Sequence, residues 1–212
     1  MSIDVTYRRL KKANWSRLKK DPEKAAAFLF ESWLEDGPES RNCVELQKDW
    51  HALHFLLTGD PSTDPEHLPD DPLHNVVMGG HETDIEASYG PVRCLEPKEV
   101  RAIAHELAKI SVRLLRTRFS AKAFNDEEIY PNPEPGGWDR KEVESVFCVY
   151  PKLVRFFKAA AAAREVVLVY AAQLCQSCSR EDCPGHHRTC ASASSHAGLH
   201  AIESNNNVRF IL

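Results

Sequence analysis

The segment WHALHFLLTG at residues 50–59 constrains the fold more than any other part of the chain. It predicts a short helix that ends at Gly59, because glycine adopts the left-handed conformation after a last helical turn at little cost. Its side chains are apolar on nearly every face, and a helix of that kind is normally buried. Two histidines, His51 and His54, fall on one narrow polar stripe. The chain must therefore build a core that encloses this helix.

The two histidines allow two interpretations. They are either core residues that hydrogen bond to backbone carbonyls, or part of a ligand-binding or catalytic stripe. Histidines at positions i and i+3 can converge on one metal ion or one substrate, although no third ligand is indicated nearby. A hydrolase would use His51 or His54 as its general base, with Glu82 or Tyr89 assisting. Nothing in the sequence brings these groups together.

Charge is unevenly distributed along the 212 residues. The net charge of −4 gives no reason to expect binding to nucleic acid or to an anionic membrane. However, residues before about 25 are basic, whereas residues 31–71 are strongly acidic. Such charge runs are either two solvated faces that attract each other or an acidic surface for a basic partner protein.

The cellular location is expected to be the cytoplasm. The first residues, MSIDVTYRRLKK, lack the hydrophobic region of a signal peptide. Arg164 and Glu165 interrupt the longest apolar stretch, so no membrane span is predicted. Cys43, Cys94 and Cys148 are scattered, which is typical of buried, reduced cysteines in a reducing compartment.

Periodicity and turn residues predict few strands among many helices, without regular alternation. This pattern favours a single α+β domain, mainly helical, with a small mixed sheet. Residues 81–90 are expected to be irregular. The expected strands cover residues 3–7, 92–95 and 165–171, and the expected helices cover residues 11–20, 22–29, 46–58, 96–119 with a kink, 121–126 and 139–163.

Several motifs occur together in a recognisable order. They are DPE at 21–23, WHALHFLLTG at 50–59, Gly79-Gly80, Tyr89-Gly90-Pro91 followed by Arg93, EPKEVRAIAHEL at 96–107, Ile129-Tyr130-Pro131 and VLVY at 167–170. Together they resemble the YfbM-like family, a bacterial domain of unknown function, over about residues 1–172. The resemblance implies one cytoplasmic α+β domain without a known cofactor. It supplies no role for the matching positions, which are Trp50, His51, His54, Gly79, Gly80, Tyr89, Gly90, Pro91 and Tyr130.

The chain departs from the family pattern just before Trp50. The resemblance implies Asp-Lys-x-Trp there, with the aspartate capping the helix, but this chain has Gln47-Lys48-Asp49. Capping therefore falls to Glu45 or is weak, at a cost of about 1 kcal/mol.

Residues 173–212 differ in character from the rest of the chain. Cysteines and histidines are dense there, and the Cys-x2-Cys spacing suits one half of a zinc site, although the second half has no standard spacing. The alternatives are a disordered tail, a misannotated carboxy terminus or a redox pair. The candidate ligands are Cys175, Cys178, Cys183, His186 and Cys190.

The sequence favours a non-catalytic protein-binding module of an immunity or regulatory type that acts through the acidic residues 31–71. We expect no cofactor, no nucleic acid and no membrane as a partner. Two alternatives remain open: a small-molecule hydrolase that uses His51 or His54, and a zinc-binding tail.

Overall fold

The computed structural model describes residues 3–30, 42–64, 69–133 and 135–173. The strands in these ranges are β1 (Ile3–Leu10), β2 (Cys43–Gln47), β3 (His81–Ala87), β4 (Gly90–Leu95) and β5 (Val166–Gln173). The helices are α1 (Lys12–Leu18), α2 (Pro22–Phe30), α3 (Trp50–Thr58), α4 (Asn75–Met78), α5 (Pro97–Lys109), α6 (Val112–Thr117), α7 (Ala121–Asp126) and α8 (Glu144–Ala163). The expected α+β class, with more helix than strand, is confirmed.

The five strands form one sheet in the order β2-β1-β5-β4-β3. All of its strand pairs are antiparallel, so the expectation of a mixed sheet was wrong in this respect. Two strands joined through a helix become parallel neighbours only when the helix returns the chain to the end of the sheet at which the first strand began. Here the last strand, β5, enters between β1 and β4 and runs opposite to both.

Helices cover both faces of this sheet. Side chains alternate across β5, so that Val167 and Val169 face one buried cluster whereas Leu168 and Tyr170 face another. The larger cluster packs against α3 to α8, and the smaller one packs against α1 and α2. Because both faces of β5 are covered, its sequence is a nearly continuous apolar run.

Two strands and one helix break differ from the sequence-based expectation. β2 was missed because Leu46 is its only fully buried residue. β3 was expected to be irregular, but it is an edge strand whose only fully buried residue is Ile85. The long helix expected at 96–119 divides into α5 and α6, because the Ser111 hydroxyl accepts a hydrogen bond from the Leu114 N–H (3.1 Å) and caps a new helix.

The helix ends follow their local sequences. Gly59 ends α3 in the left-handed conformation, with φ of 76°, as predicted. Asp139 accepts hydrogen bonds from the N–H groups of Lys141 and Glu142 (2.7 and 2.8 Å), although α8 itself begins five residues after it, at Glu144. At the start of α3 neither Glu45 nor Asp49 caps the helix: Glu45 lies in β2, and the Asp49 side chain accepts from the Ser145 hydroxyl (2.9 Å).

The entry into β3 is fixed by close packing against β4. Gly80 has φ of +87°, and a Cβ there would lie 2.7 Å from the carbonyl oxygen of Cys94. The Arg93 guanidinium donates to the Gly80 carbonyl (2.6 Å) and forms an ion pair with Glu82 (2.8 Å). The first residues of β3 are therefore held at a defined distance from the end of β4.

Candidate functional site

Three positions that the family resemblance singles out meet at the start of α3. Trp50 is fully buried and stacks on both His51 and Tyr130, with ring centroids 5.2 and 5.5 Å apart. The Trp50 indole N–H donates to the Ile3 carbonyl (3.1 Å), and the Ile3 N–H donates to the Tyr130 hydroxyl (2.9 Å). These contacts tie α3 to the first strand of the sheet.

His51 is a hydrogen-bonded core residue. Its Nδ1 accepts from the Tyr130 N–H (2.9 Å), and its Nε2 lies 2.9 Å from the Pro61 carbonyl oxygen. A carbonyl can only accept, so Nε2 carries the proton and the ring is the neutral tautomer. Burial lowers the pKa of His51, and the Pro61 carbonyl opposes this shift. Neither ring nitrogen is left for a substrate proton.

His54 differs sharply from His51. Its side chain is 0 % exposed, and neither ring nitrogen has a partner within hydrogen-bonding geometry. Its pKa is lowered to about 4, mainly by burial and also by the nearby His51 and His74, while Asp60 and the Ser62 backbone oppose the shift. The imidazole is therefore neutral at pH 7. It is an interior polar group that lies near the Ser62 backbone but forms no well-aligned hydrogen bond within the described part of the chain.

A third histidine, which the sequence analysis did not select, completes this group. The His74 ring packs edge-on against that of His54, with centroids 5.7 Å apart. Its Nδ1 lies 3.1 Å from a carboxylate oxygen of Asp71, and its Nε2 lies 3.6 Å from one of Asp60. His74 therefore sits between the two ends of the acidic loop, defined as residues 60–71. A histidine that follows an acidic run was the only sequence signal for it.

The other proposed catalytic residues lie on the β3–β4 hairpin. Glu82 is exposed on β3 and forms an ion pair with Arg93, and Tyr89 lies in the turn between the two strands. A cleft of about 200 Å³ lies elsewhere, between the end of the acidic loop and α5. None of His51, His54, Glu82 and Tyr89 lines it.

The candidate zinc ligands of the tail lie beyond the end of the described residues. The proposed domain boundary at residue 173 coincides with that end. Cys175, Cys178, Cys183, His186 and Cys190 therefore remain a sequence-based hypothesis. The same holds for part of the acidic region, namely Glu31, Glu35, Asp36, Glu39 and Glu66.

The same substitution at the two helix histidines is expected to have opposite effects. His51→Leu leaves the Tyr130 N–H and the Pro61 carbonyl without partners, and we expect it to destabilise the fold by about 1–3 kcal/mol. His54→Leu removes a buried polar group that lacks partners, and we expect it to stabilise the fold by about 1–2 kcal/mol. Urea unfolding at pH 7 measures both. A loss of stability in His54→Leu as large as in His51→Leu would contradict the described environment of His54.

Comparison with known proteins agrees with this architecture. The model of a domain of unknown function (DUF1877) matches residues 1–170. Protein YfbM of Escherichia coli (strain K12) is 34% identical over 88 residues, which are 42% of this chain and 51% of that protein. The chain thus spans about half the length of this curated relative.

A solved structure shares the fold. The crystal structure of YfbM from Escherichia coli, described as a protein of unknown function, superimposes with a TM-score of 0.54 and 24% identity. The match covers 80% of this chain and 98% of that one. Within the described parts of this chain, no helix combines the length and apolarity that crossing a bilayer requires.

Proposed function

For this chain, which belongs to the DUF1877 family of domains of unknown function, we propose the role of a non-catalytic, cytoplasmic protein-binding module. Its acidic region recognises a basic partner protein. The acidic loop, residues 60–71, is the centre of this surface, and the structure describes its residues 60–64 and 69–71. An immunity protein or a regulatory subunit would use such a surface to occupy a basic region of its target.

The observation that carries the proposal is that buried groups fix the acidic loop at both of its ends. At one end the Pro61 carbonyl accepts from His51, and the Asp60 carboxylate accepts from the Ser62 N–H (2.8 Å). At the other end the Asp71 carboxylate accepts from the Leu73 N–H (3.1 Å). His74 lies between the two carboxylates, and the buried His54 lies beside it.

An acidic loop whose two ends are fixed suits recognition of a charged protein surface. Ordering a loop on binding costs free energy, so a loop whose ends are already held in place loses less when it binds. Complementary charge also increases the association rate and discriminates against wrong partners. Residues 31–41 and Glu66 would add further negative charge to the same region of the sequence.

The environments of the histidines support a non-catalytic role. A general base needs a ring nitrogen that reaches a substrate proton, but both nitrogens of His51 hold backbone groups and His54 is fully enclosed.

A reducing compartment agrees with the cysteines in the described part of the chain. Cys94 is buried, Cys43 is half-buried and Cys148 is exposed, so the expectation that all three are buried was wrong for two of them. None of the three is in a disulfide. An exposed thiol such as Cys148 is typical of proteins that stay in the cytoplasm.

Charge reversal in the loop tests this function. We expect Asp64→Lys with Asp70→Lys to abolish stoichiometric capture of a basic protein from the native host, because both carboxylates lie on the loop between its two anchored ends. The captured protein is identified by mass spectrometry, and its binding to the purified chain is measured by calorimetry. We expect affinity for the identified protein to fall at least about tenfold, and the remaining binding to weaken with added salt.

The matched control reverses two exposed acids on the edge strand, Asp84→Lys and Glu86→Lys. This variant makes the same change in net charge at a different place, so it should bind the partner as the unsubstituted chain does. Equal losses in both double variants would indicate a general charge effect and would overturn the assignment to the loop. Capture of a protein without a basic surface would also count against the proposal.

A further inference from the structure

A different group of side chains lies at the far end of the β3–β4 hairpin. His81, Cys94 and Glu96 place one imidazole nitrogen, one thiol sulfur and one carboxylate oxygen all within 4.8 Å of one another. From these three residues we propose a binding site for a divalent transition-metal ion of the zinc type. Its three ligands include no residue of the acidic loop or of the tail.

The backbone brings the three side chains to one face of the sheet. His81 on β3 is directly opposite Cys94 on β4, so both side chains point to the same side. Glu96 follows Cys94 by two residues, and residues two apart along an extended chain share a face. The three ligands thus come from two chain segments that pair with each other.

The pairing that creates the site is fixed by contacts outside it. Gly80 immediately precedes His81, and its lack of a side chain permits the close approach to the Cys94 carbonyl. Arg93 immediately precedes Cys94 and donates to the Gly79 and Gly80 carbonyls (3.3 and 2.6 Å). A metal site needs ligands held in position by neighbours of this kind.

The ligand types select the ion. Imidazole, thiolate and carboxylate are the three protein ligands of zinc, and thiolate disfavours magnesium and calcium. The three ligands differ in depth: Cys94 is buried, Glu96 is intermediate and His81 is exposed. An ion held by them keeps a fourth position directed towards solvent on the His81 side. Binding displaces the thiol proton to solvent.

One cation already faces the carboxylate. The Lys12 ammonium, on α1, donates to Glu96 Oε2 at 2.8 Å. A bound metal ion would compete with Lys12 for this oxygen and would be repelled by its charge. Lys12 therefore weakens metal binding, and its removal should strengthen it.

Cobalt(II) titration of the full chain tests the site, because cobalt bound to a thiolate gives a charge-transfer absorption that zinc then abolishes. The background carries Cys175→Ser, Cys178→Ser, Cys183→Ser and Cys190→Ser, so that no tail thiolate contributes to the absorption. We expect one cobalt per chain. We expect Cys94→Ser and His81→Ala each to weaken binding by at least about 100-fold, since even outer partners of a metal site are worth about 10–100-fold. Lys12→Ala should tighten binding by about fivefold.

Cys148→Ser is the matched thiol control, since Cys148 is exposed on α8, and it should leave the absorption unchanged. His81→Ala keeps the test valid if Cys94→Ser perturbs the core, because His81 is exposed. Thermal unfolding without metal verifies that each variant folds. The proposal is overturned if the absorption is absent in this background, or if it persists unchanged in both His81→Ala and Cys94→Ser.

Discussion

Trp50→Ala is expected to destabilise the fold by about 3–5 kcal/mol, the cost of removing a large aromatic side chain from a packed core. Trp50 is fully buried and is stacked between His51 and Tyr130. Its loss would also leave the Ile3 carbonyl without the indole donor. Domains of this size have a total stability of about 5–15 kcal/mol, so a large fraction of this variant should be unfolded at moderate urea concentrations.

Urea unfolding followed by circular dichroism gives the magnitude. Trp50→Phe keeps a ring in the stack but loses the indole N–H, and its loss should be intermediate. Leu114→Ala is the control, because Leu114 is 43% exposed and the change should stay within about 0.5 kcal/mol. If Trp50→Ala cost less than about 1 kcal/mol, Trp50 would not join α3 to the sheet as described.

The second large effect is a loss of stability at acid pH through His54. Its pKa is about 4 in the folded protein against an ordinary value of 6.5. As pH falls below 6.5, the unfolded chain takes up a proton at His54 and the folded chain does not, so stability is lost until pH reaches about 4. This difference corresponds to about 3 kcal/mol, at about 1.4 kcal/mol per pH unit. The lowered pKa of His51 acts in the same direction.

Asp49 changes the stability of the fold at acid pH in the opposite direction, so its contribution must be distinguished from that of His54. Burial raises the pKa of Asp49 to about 6, and the Ser145 hydroxyl opposes this shift. A carboxyl whose pKa is raised on folding favours the folded state increasingly as pH falls from 6 to 3.8. We therefore expect the stability advantage of His54→Leu over the unsubstituted chain to grow steadily between pH 6.5 and 4.

Urea unfolding of both proteins at several pH values measures this difference directly. Asp49→Asn in the unsubstituted chain should make the acid loss steeper, because it removes the opposing contribution. A difference between His54→Leu and the unsubstituted chain that stays constant across this pH range would show that His54 titrates normally in the folded state.

The sequence predicted the elements that carry strong local signals. α3 has an apolar surface and a terminal glycine, α5 has Pro97 in its first turn, and β5 is an uninterrupted apolar run. β2 and β3 escaped prediction because edge strands bury few side chains and owe their form to hydrogen bonds with a neighbour. Such hydrogen bonds leave no periodic pattern in the sequence.

The candidate sites show the same division between local and long-range information. Sequence reasoning identified His51 and His54, but it could not distinguish their environments. Both ring nitrogens of His51 contact backbone groups, whereas those of His54 form no well-aligned hydrogen bond in the described part of the chain. That difference depends on Pro61 and Tyr130, one of which is 79 residues away along the chain. His74 and the His81–Cys94–Glu96 group depend likewise on loop closure and strand register, which only the folded backbone defines.

The position of β5 also has a consequence for the time course of synthesis. β5 is the last strand of the described chain, yet it lies in the middle of the sheet, paired with β1 on one side and β4 on the other. Until β5 has left the ribosome, the inner edges of β1 and β4 lack the strand that pairs with them in the folded chain. At about 5–20 residues per second, the nascent chain carries these open edges for several seconds. Chaperone binding to the nascent chain should therefore end only when β5 has emerged.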